Sequence, residues 1–263
     1  MEKRNLLDRV GLSDQDRILM ANILDRAEKA KKRNIPAASD FLSPRQKILA
    51  SDLLRLSGLR ETDCVWTGGY ENAERCLAYF PPDWMEAQDI EPPIRCLRVF
   101  YRPEDNLTHR DLLGGLMGIG IVREKTGDIL IHPDSADVLL LDSVTDFVSQ
   151  NWESAGHVKL HIQEISLHEI QPPEINFQEY HDTVPSLRLD ALIASGFRMA
   201  RGKAADYINA GRVQVNWREC AKPDQILTQG DIITARGLGR IELQSVNGLT
   251  RKNRVSVTIR RFL

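Results

Sequence analysis

The chain has 263 residues and a formal net charge of −2, with 42% hydrophobic and 27% charged residues. This composition is that of a globular protein, and it excludes disorder of the chain as a whole. No uncharged apolar run approaches the roughly 18 residues that a membrane-spanning helix needs. The first twelve residues mix acidic and basic side chains without an apolar segment, so we expect neither a signal peptide nor a transit peptide and predict a cytoplasmic protein.

Helices dominate the prediction for the first 91 residues. A cap residue, apolar positions three and four residues apart and a basic end predict a helix over 14–33. A second helix is predicted over 44–57, with proline in its first turn. Gly68 and Gly69 are expected to form a tight structural turn, with a contact site as the alternative. We therefore predict a mainly helical domain over 1–91.

A ferredoxin-like (RRM-like) domain is predicted over 92–171. Strands and helices alternate there in the order βαββαβ. The predicted elements are, in chain order, 94–101, 109–117, 128–132, 136–141, 143–151 and 157–165. A sheet that reads RNA needs aromatic residues on its central strands, and 127–133 and 136–142 contain none. This favours a scaffold or a protein-contact module over a base reader.

The histidines and cysteines give little evidence for a metal site. His157 and His161 could share one face of a strand, but no carboxylate or thiol follows at ligand spacing. The four cysteines are widely and irregularly spaced, which is typical of neither a zinc motif nor a disulfide framework. We predict free thiols in a reducing compartment, no metal and no cofactor.

A small α+β unit is predicted over 186–263, after a polar linker over 172–185. Ser186 is a suitable N-cap for a first short helix that ends at Gly196, and a second helix ends at Gly211. Alternating strands follow, and the last two are predicted to form a hairpin. The sequence therefore predicts an α+β protein of three parts.

Charge is distributed unevenly along the chain. Residues 186–263 contain 14 Lys and Arg against 6 Asp and Glu, a net charge of +8, whereas 1–185 contain 21 basic against 31 acidic residues, a net charge of −10. A basic unit joined to an acidic remainder is expected where one module binds a polyanion. Basic surfaces also arise for solubility, so charge alone leaves both interpretations open.

The C-terminal cations concentrate on the predicted helix pair and on the hairpin loop at 250–254, after a turn predicted at Asn247–Gly248. Guanidinium groups offer forked donors that suit phosphate oxygens, and short helices packed on a sheet hold such donors rigidly. The stretches 188–196, 200–216 and 230–240 resemble the S4-type RNA-binding domain. One difference is Ala200, where that family usually has serine; RNA binding survives this difference because the flanking cations remain.

The resemblance extends over most of the chain. The stretches 68–82 and 109–131, together with 215–217 and 236–240, resemble the three-part YlmH family and, more narrowly, its cyanobacterial and plastid branch, called photosystem II S4 domain proteins. Bacterial members are associated with the large ribosomal subunit and with peptidyl-tRNA on stalled subunits, where they assist nascent-chain tail elongation in quality control. The resemblance implies rRNA and tRNA on the large ribosomal subunit as partners, and we expect a monomer.

Position in this resemblance selects the candidate RNA contacts, which lie on the helix pair and beside it. They are Arg188, Arg198, Arg201, Lys203, Arg212, Asn216, Trp217, Arg236, Arg240, Arg251, Lys252 and Arg254. Any one cation could instead be a solvated surface group or part of a local ion pair, as Arg188 would be with Asp190. Trp217 suits either an exposed stacking platform or a hairpin plug.

Enzyme motifs are incomplete. The segment 109–111 matches the start of a kinase catalytic loop, but the asparagine, the glycine-rich loop and DFG that should accompany it are missing. The glycine pairs at 118–120 and 237–239 lack the third glycine of a dinucleotide-binding loop. We expect a non-enzymatic RNA-binding factor. The alternatives are a protein-binding assembly factor for photosystem II and an rRNA-modifying enzyme.

Overall fold

The computed structural model describes residues 7–8, 14–86, 89–172 and 176–263. The chain divides into two compact units, Met1–Pro173 and Glu174–Leu263, called here unit 1 and unit 2. Both units combine helices with antiparallel sheets, which confirms the predicted α+β class. Within the described ranges, no helix is both long and apolar enough to cross a membrane.

The N-terminal part of unit 1 contains both predicted helices and a sheet that was not predicted. The helices are α1 (Asp14–Arg33) and α2 (Pro44–Leu56), and the strands are β1 (Ala37–Ala38), β2 (Val65–Thr67) and β3 (Leu77–Phe80), in the order β1-β3-β2. The prediction of a mainly helical domain therefore missed three strands. They are two to four residues long, and β3 is buried at every position, so none shows the alternation by which a strand is recognised.

The glycine turn before β3 is confirmed. Gly69 has φ +95°, a left-handed conformation that favours glycine. A Cβ atom on Gly68 would lie 2.3 Å from Ala73 Cβ and 2.4 Å from the Arg75 carbonyl oxygen, so a side chain there would clash. Both glycines are thus explained by the path of the backbone.

The middle of the chain has the predicted ferredoxin-like topology. Its elements are β4 (Ile94–Phe100), α3 (His109–Gly118), β5 (Thr126–Ile131), β6 (Ser135–Leu141), α4 (Asp142–Asn151), β7 (Ser154–Ala155), β8 (Val158–Lys159) and β9 (His161–Ile165). The main sheet has the order β5-β6-β4-β9 and is antiparallel throughout, while β7 and β8 form a separate small hairpin. This order is that of a βαββαβ fold.

The strand predicted over 157–165 is wrong in its first half. His157 lies in the turn of the β7–β8 hairpin, and His161 is the first residue of β9, so the two histidines do not share a strand. His161 instead lies next to the Phe100 ring, with the ring centroids 6.0 Å apart. Among the residues that the structure describes, no group of three or more His, Cys, Asp or Glu is placed to hold a metal ion.

Both faces of the ferredoxin-like sheet are used for packing. One face packs under α3 and α4 around Leu97, Val99 and Val138. On the other face, side chains of the N-terminal part cover the half of the sheet where β4 begins and β6 ends. The buried residues of this second core are Phe41, Leu77 and Tyr79 from the N-terminal part, Ile94, Cys96, Leu130, Leu139, Leu141 and Ile165 from the sheet, and Ile170 after β9. The surface on which an RRM-like domain stacks bases is therefore half covered.

Unit 2 is one six-stranded antiparallel sheet with two helices on one face. Its elements are β10 (Phe177–Val184), α5 (Leu189–Gly196), α6 (Arg201–Asn209), β11 (Val213–Val215), β12 (Arg218–Glu219), β13 (Ile232–Ala235), β14 (Gly239–Leu249) and β15 (Val255–Phe262). The strand order is β10-β15-β14-β13-β11-β12. Apolar residues of α5 and α6 pack on Ile233, Ile241, Leu243, Val257 and Ile259.

The linker predicted over 172–185 is wrong for most of its length. Phe177–Val184 form β10, which pairs with β15 along its whole length. The polar sequence of this segment misled the prediction, because β10 is an edge strand on which only Val184 is buried. The predicted turn at Asn247–Gly248 is also wrong. Gly248 lies within β14 beside a register shift, and the chain reverses at 250–253.

The first helix of unit 2 begins without the predicted serine cap. Arg188, not Ser186, is the N-cap residue of α5, and its side chain does not cap the helix. The free N–H groups of the first turn are satisfied by backbone instead: Leu189 donates to the Gln225 carbonyl at 2.8 Å and Asp190 to the Pro223 carbonyl at 3.0 Å. The loop before β13 thereby takes over the role of a capping side chain.

Candidate nucleic-acid interface

Two of the candidate arginines are bound to one buried carboxylate. Asp190 lies in the first turn of α5, and its side chain is only 7% exposed. Arg188 donates to both carboxylate oxygens at 3.2 and 3.3 Å, and Arg201, the first residue of α6, does so at 3.0 and 3.1 Å. This double fork joins the starts of the two helices and confirms the alternative of a local ion pair for Arg188.

The electrostatics of Asp190 follow from this arrangement. Burial raises the pKa of the carboxyl group, but the hydrogen bonds from Arg188 and Arg201 outweigh burial, so its pKa is lowered from the ordinary value. The hydrogen bond with Asp190 likewise raises the pKa of Arg188. The carboxylate stays ionised at neutral pH, and both arginines have a built-in partner.

Two more candidates make structural contacts. The Arg254 Nε atom donates to Thr183 Oγ1 at 3.1 Å, and an Nη atom donates to the Thr183 carbonyl, which ties the β14–β15 turn to β10. The Asn216 side chain donates to Asp231 Oδ1 at 2.8 Å and accepts from the Ile232 N–H at 2.9 Å. These bonds hold the start of β13, so the Asn216 amide is engaged within the fold.

Three candidates stack on aromatic rings. The guanidinium carbon lies 4.9 Å from the Tyr180 ring centroid for Arg198, 5.6 Å from that of Tyr207 for Arg212 and 6.0 Å from that of Trp217 for Arg240. Stacking fixes the plane of a guanidinium group while its N–H donors still point outward. Such a side chain is preorganised for a phosphate or a base edge.

Four candidates are exposed cations. Their side chains form no hydrogen bond or ion pair with any residue in the described ranges. They are Lys203 on α6, Arg236 after β13, and Arg251 and Lys252 in the β14–β15 turn. The backbone N–H of Arg236 donates to the backbone carbonyl of Arg212 at 2.9 Å. The stacked cation Arg212 therefore lies beside the exposed cation Arg236.

Trp217 occupies an unusual backbone position. It and Asn216 form the two-residue turn between β11 and β12, with φ of +59° and +48°. Positive φ at both central residues defines a type I′ turn, whose second position strongly prefers glycine; a bulky side chain there is strained. The Trp217 indole N–H is also buried and has no hydrogen-bond partner among the described residues. The side chain is half-buried, so the structure places Trp217 between the two predicted alternatives, an exposed stacking platform and a hairpin plug.

Arg240 was predicted to lie beside the helix pair, but it lies on the opposite face of the sheet. Its neighbour Ile241 belongs to the core under the helices, and side chains alternate along a strand, so Arg240 points the other way. Three further residues of this face were not among the predicted contacts. Phe177, Arg260 and Phe262 lie on this same face. The signal for Arg260 and Phe262 was the alternation of β15, in which Val257 and Ile259 are buried, and strand pairing places Phe177 opposite Phe262.

The segment 68–82 in unit 1 supports packing between the two parts of that unit. Arg75 donates to the carbonyl oxygens of Phe41, Arg123 and Thr126, and burial lowers its pKa to about 10. Asp128 accepts from the Tyr70 hydroxyl at 2.8 Å and from the Glu74 and Arg75 N–H groups. These bonds close the junction beside the covered half of the sheet.

Comparisons with known proteins agree on one family. Three family models match: "YlmH, N-terminal" at residues 15–80, "Putative RNA-binding domain in YlmH" at 99–169 and "S4 domain" at 187–233. The structure resembles the cell division protein ylmH from Streptococcus pneumoniae, with a TM-score of 0.51 and 19% identity over 60% of this chain and 95% of that one, which supports the fold. The ribosome-associated protein quality control protein P2 of Bacillus subtilis (strain 168) is 33% identical over 85% of this chain and 86% of its own length. The chain belongs to the YlmH family.

Proposed function

We propose that this protein is a non-enzymatic RNA-binding factor that contacts rRNA and tRNA on the large ribosomal subunit during ribosome-associated quality control. The observation that carries the proposal is the set of exposed and stacked cations on unit 2, within and beside the matched S4 domain. Cations that lack an internal partner can neutralise phosphates and release counterions on binding. The role of the 33% identical relative, named as a ribosome-associated quality control protein, agrees with this function.

In this proposal the main RNA contacts belong to unit 2. Base stacking on the ferredoxin-like sheet is blocked where Phe41, Leu77 and Tyr79 cover it. The description of the matching model names RNA binding for 99–169, and the apolar cover leaves the other half of the sheet and the remaining surfaces of that domain for such contacts. We assign unit 1 chiefly to protein contact or scaffolding.

Crosslinking in living cells tests the function directly. Ultraviolet light would join the protein to the RNA that it contacts, and the attached RNA would be sequenced. We expect enrichment of one region of large-subunit rRNA together with tRNA. Recovery of neither rRNA nor tRNA, with the protein folded and expressed, would refute the proposal. A changed rRNA modification profile in cells that lack the protein would favour the enzymatic alternative.

A further inference from the structure

The sheet face of unit 2 that points away from α5 and α6 carries a row of aromatic and guanidinium groups. We call this row the sheet platform and define it as Phe177, Trp217, Arg240, Arg260 and Phe262. Strand pairing places Phe177 opposite Phe262, so the row crosses from the edge strand β10 through β15 and β14 to the β11–β12 turn.

The contacts within the row follow one pattern. The Arg240 guanidinium carbon is 6.0 Å from the Trp217 ring centroid and 5.8 Å from that of Phe262, so one cation lies between two rings. The Arg260 guanidinium carbon is 4.5 Å from the Phe177 ring centroid. Phe177 itself is 43% exposed. Aromatic rings alternating with guanidinium planes are the surface on which single-stranded nucleic acids stack their bases.

The charge of the platform argues for stacking over phosphate binding. Arg260 pairs with Glu179 at 3.1 Å, and Glu242 is opposite Arg260 in the strand register. Two cations and two acids leave this face near neutral, in contrast to the net charge of +8 over 186–263. The basic surface supplies attraction for a polyanion, and β11 connects the two regions, with Arg212 before its first residue and Trp217 two residues after its last.

Trp217 provides an independent observation. A left-handed backbone, a bulky side chain and a buried indole N–H without a partner all oppose folding, and glycine at this position would avoid all three. Strained residues of this kind persist where function requires them. An aromatic ring at the end of a stacking row is such a requirement.

We propose that the sheet platform stacks unpaired RNA bases, as a second contact surface separate from the cations of the helix pair. This inference rests on the proposed function, because it presupposes that the protein binds RNA. Rings and guanidinium planes accept every base, so we expect little sequence preference. Binding as a whole should depend on salt through the cations of the basic surface, and the contribution of the platform should change little with salt.

Two variants of the full chain test the platform. Trp217→Gly removes the ring and relieves the backbone, and Phe177→Ala removes an exposed ring from the edge strand. Phe147→Ala is the matched control, because Phe147 is 49% exposed but lies in unit 1. Affinity would be measured for a single-stranded oligoadenylate of about 12 nucleotides and for an RNA duplex of equal length, each over a series of salt concentrations, with thermal unfolding measured alongside.

We expect Trp217→Gly and Phe177→Ala each to weaken oligoadenylate binding by about tenfold, with the salt slope and the duplex affinity unchanged and with unfolding temperatures at or above that of Phe147→Ala. Wild-type affinity in both variants would overturn the inference while leaving the proposed function intact. Equal loss for oligoadenylate and duplex would also overturn it, because it indicates a general defect of the unit. A wild-type protein that binds neither RNA refutes the proposed function itself.

Discussion

The two units each contain an antiparallel sheet with helices on one face, and they differ in what happens on the other face. In unit 1, Phe41 and its neighbours cover half of that face with an apolar core. In unit 2, the corresponding face carries exposed or half-buried aromatic and guanidinium groups. Sheets of similar architecture therefore lead to different expectations: the covered face stabilises the fold, and the uncovered face is available to a ligand.

A second comparison separates the cations of unit 2 from one another. Arg188, Arg201 and Arg254 are bonded within the fold, whereas Lys203, Arg251 and Lys252 extend into solvent. A cation with an internal partner must break that contact before it binds phosphate, so its net contribution to affinity is reduced. Equal charge in the sequence thus does not mean equal contribution to binding.

The largest expected effect is on the covered face of unit 1. Phe41 is fully buried, and Phe41→Ala should lower the free energy of unfolding of unit 1 by about 3–5 kcal/mol, because it removes the ring that packs against the sheet. Phe177→Ala on the exposed face of unit 2 should cost less than about 1 kcal/mol. Denaturant unfolding measures both, and equal costs would contradict the contrast between the two faces.

The next effect separates exposed from bonded cations. Replacing Lys203, Arg251 and Lys252 with alanine should weaken RNA binding about 100-fold at moderate salt and lower the slope of log affinity against log salt by about 3, because three phosphate contacts are lost. The matched control replaces Lys29, Arg33 and Arg110, exposed cations of unit 1 whose side chains form no hydrogen bond or ion pair with the described residues, and should leave the slope unchanged.

The pair Arg188→Ala and Arg201→Ala tests the other side of this contrast. Since both side chains bind Asp190, the double variant should change the slope by less than about 1 and chiefly lower stability. A slope change as large as that of the three exposed cations would show that the bonded arginines also bind phosphate in the complex.

The stabilisation that Asp190 provides through its ion pairs with Arg188 and Arg201 should depend on pH. The lowered pKa of Asp190 means that the folded state binds this proton more weakly than the unfolded chain, so the carboxylate stabilises unit 2 above a pH of about 4. Asp190→Asn should cost about 2 kcal/mol at neutral pH. That difference should shrink as the pH falls below about 4, through the folded pKa. Urea unfolding of both proteins at several pH values checks this, and a pH-independent difference would contradict the assigned ion pairs.

The smallest effect concerns the second helix. Ala200 is the N-cap residue of α6, with φ −65° and ψ 140°, and its side chain makes no capping bond. Ala200→Ser should raise stability by about 1 kcal/mol, because a hydroxyl oxygen at this position accepts from an N–H of the first turn. Ala210→Ser at the other end of α6 is the control and should give no gain. Thermal unfolding compares the two variants.

The sequence predicted secondary structure correctly where the spacing of apolar residues agrees with helix caps and terminating glycines. The helices at Asp14–Arg33 and Pro44–Leu56 and the order of the ferredoxin-like elements follow from apolar spacing, caps and glycines. Strands β1 to β3 are too short for a pattern, and β10 looks polar because it is an edge strand. The N-terminus of α5 is satisfied by a loop that is distant in sequence, which no local rule can predict.

The sequence predicted which basic residues belong to the candidate site, but not which of them are bonded within the fold. Sequence patterns selected the basic helix pair and the arginines near it, but which of them are bonded depends on a carboxylate, Asp190, whose burial only the fold reveals. The face of Arg240 likewise depends on strand alternation relative to the core. Membership in the cyanobacterial and plastid branch of the family, action as a monomer and residence in the cytoplasm stay predictions.

Residue-level crosslinking tests the central claim, that unit 2 makes the main RNA contacts of the full chain. The protein would be bound to large ribosomal subunits, irradiated and digested, and the peptides that carry nucleotides would be identified by mass spectrometry. We predict that the crosslinked residues fall within 177–263, on the helix-pair side and on the sheet platform. Crosslinks confined to residues 14–172 would contradict the account.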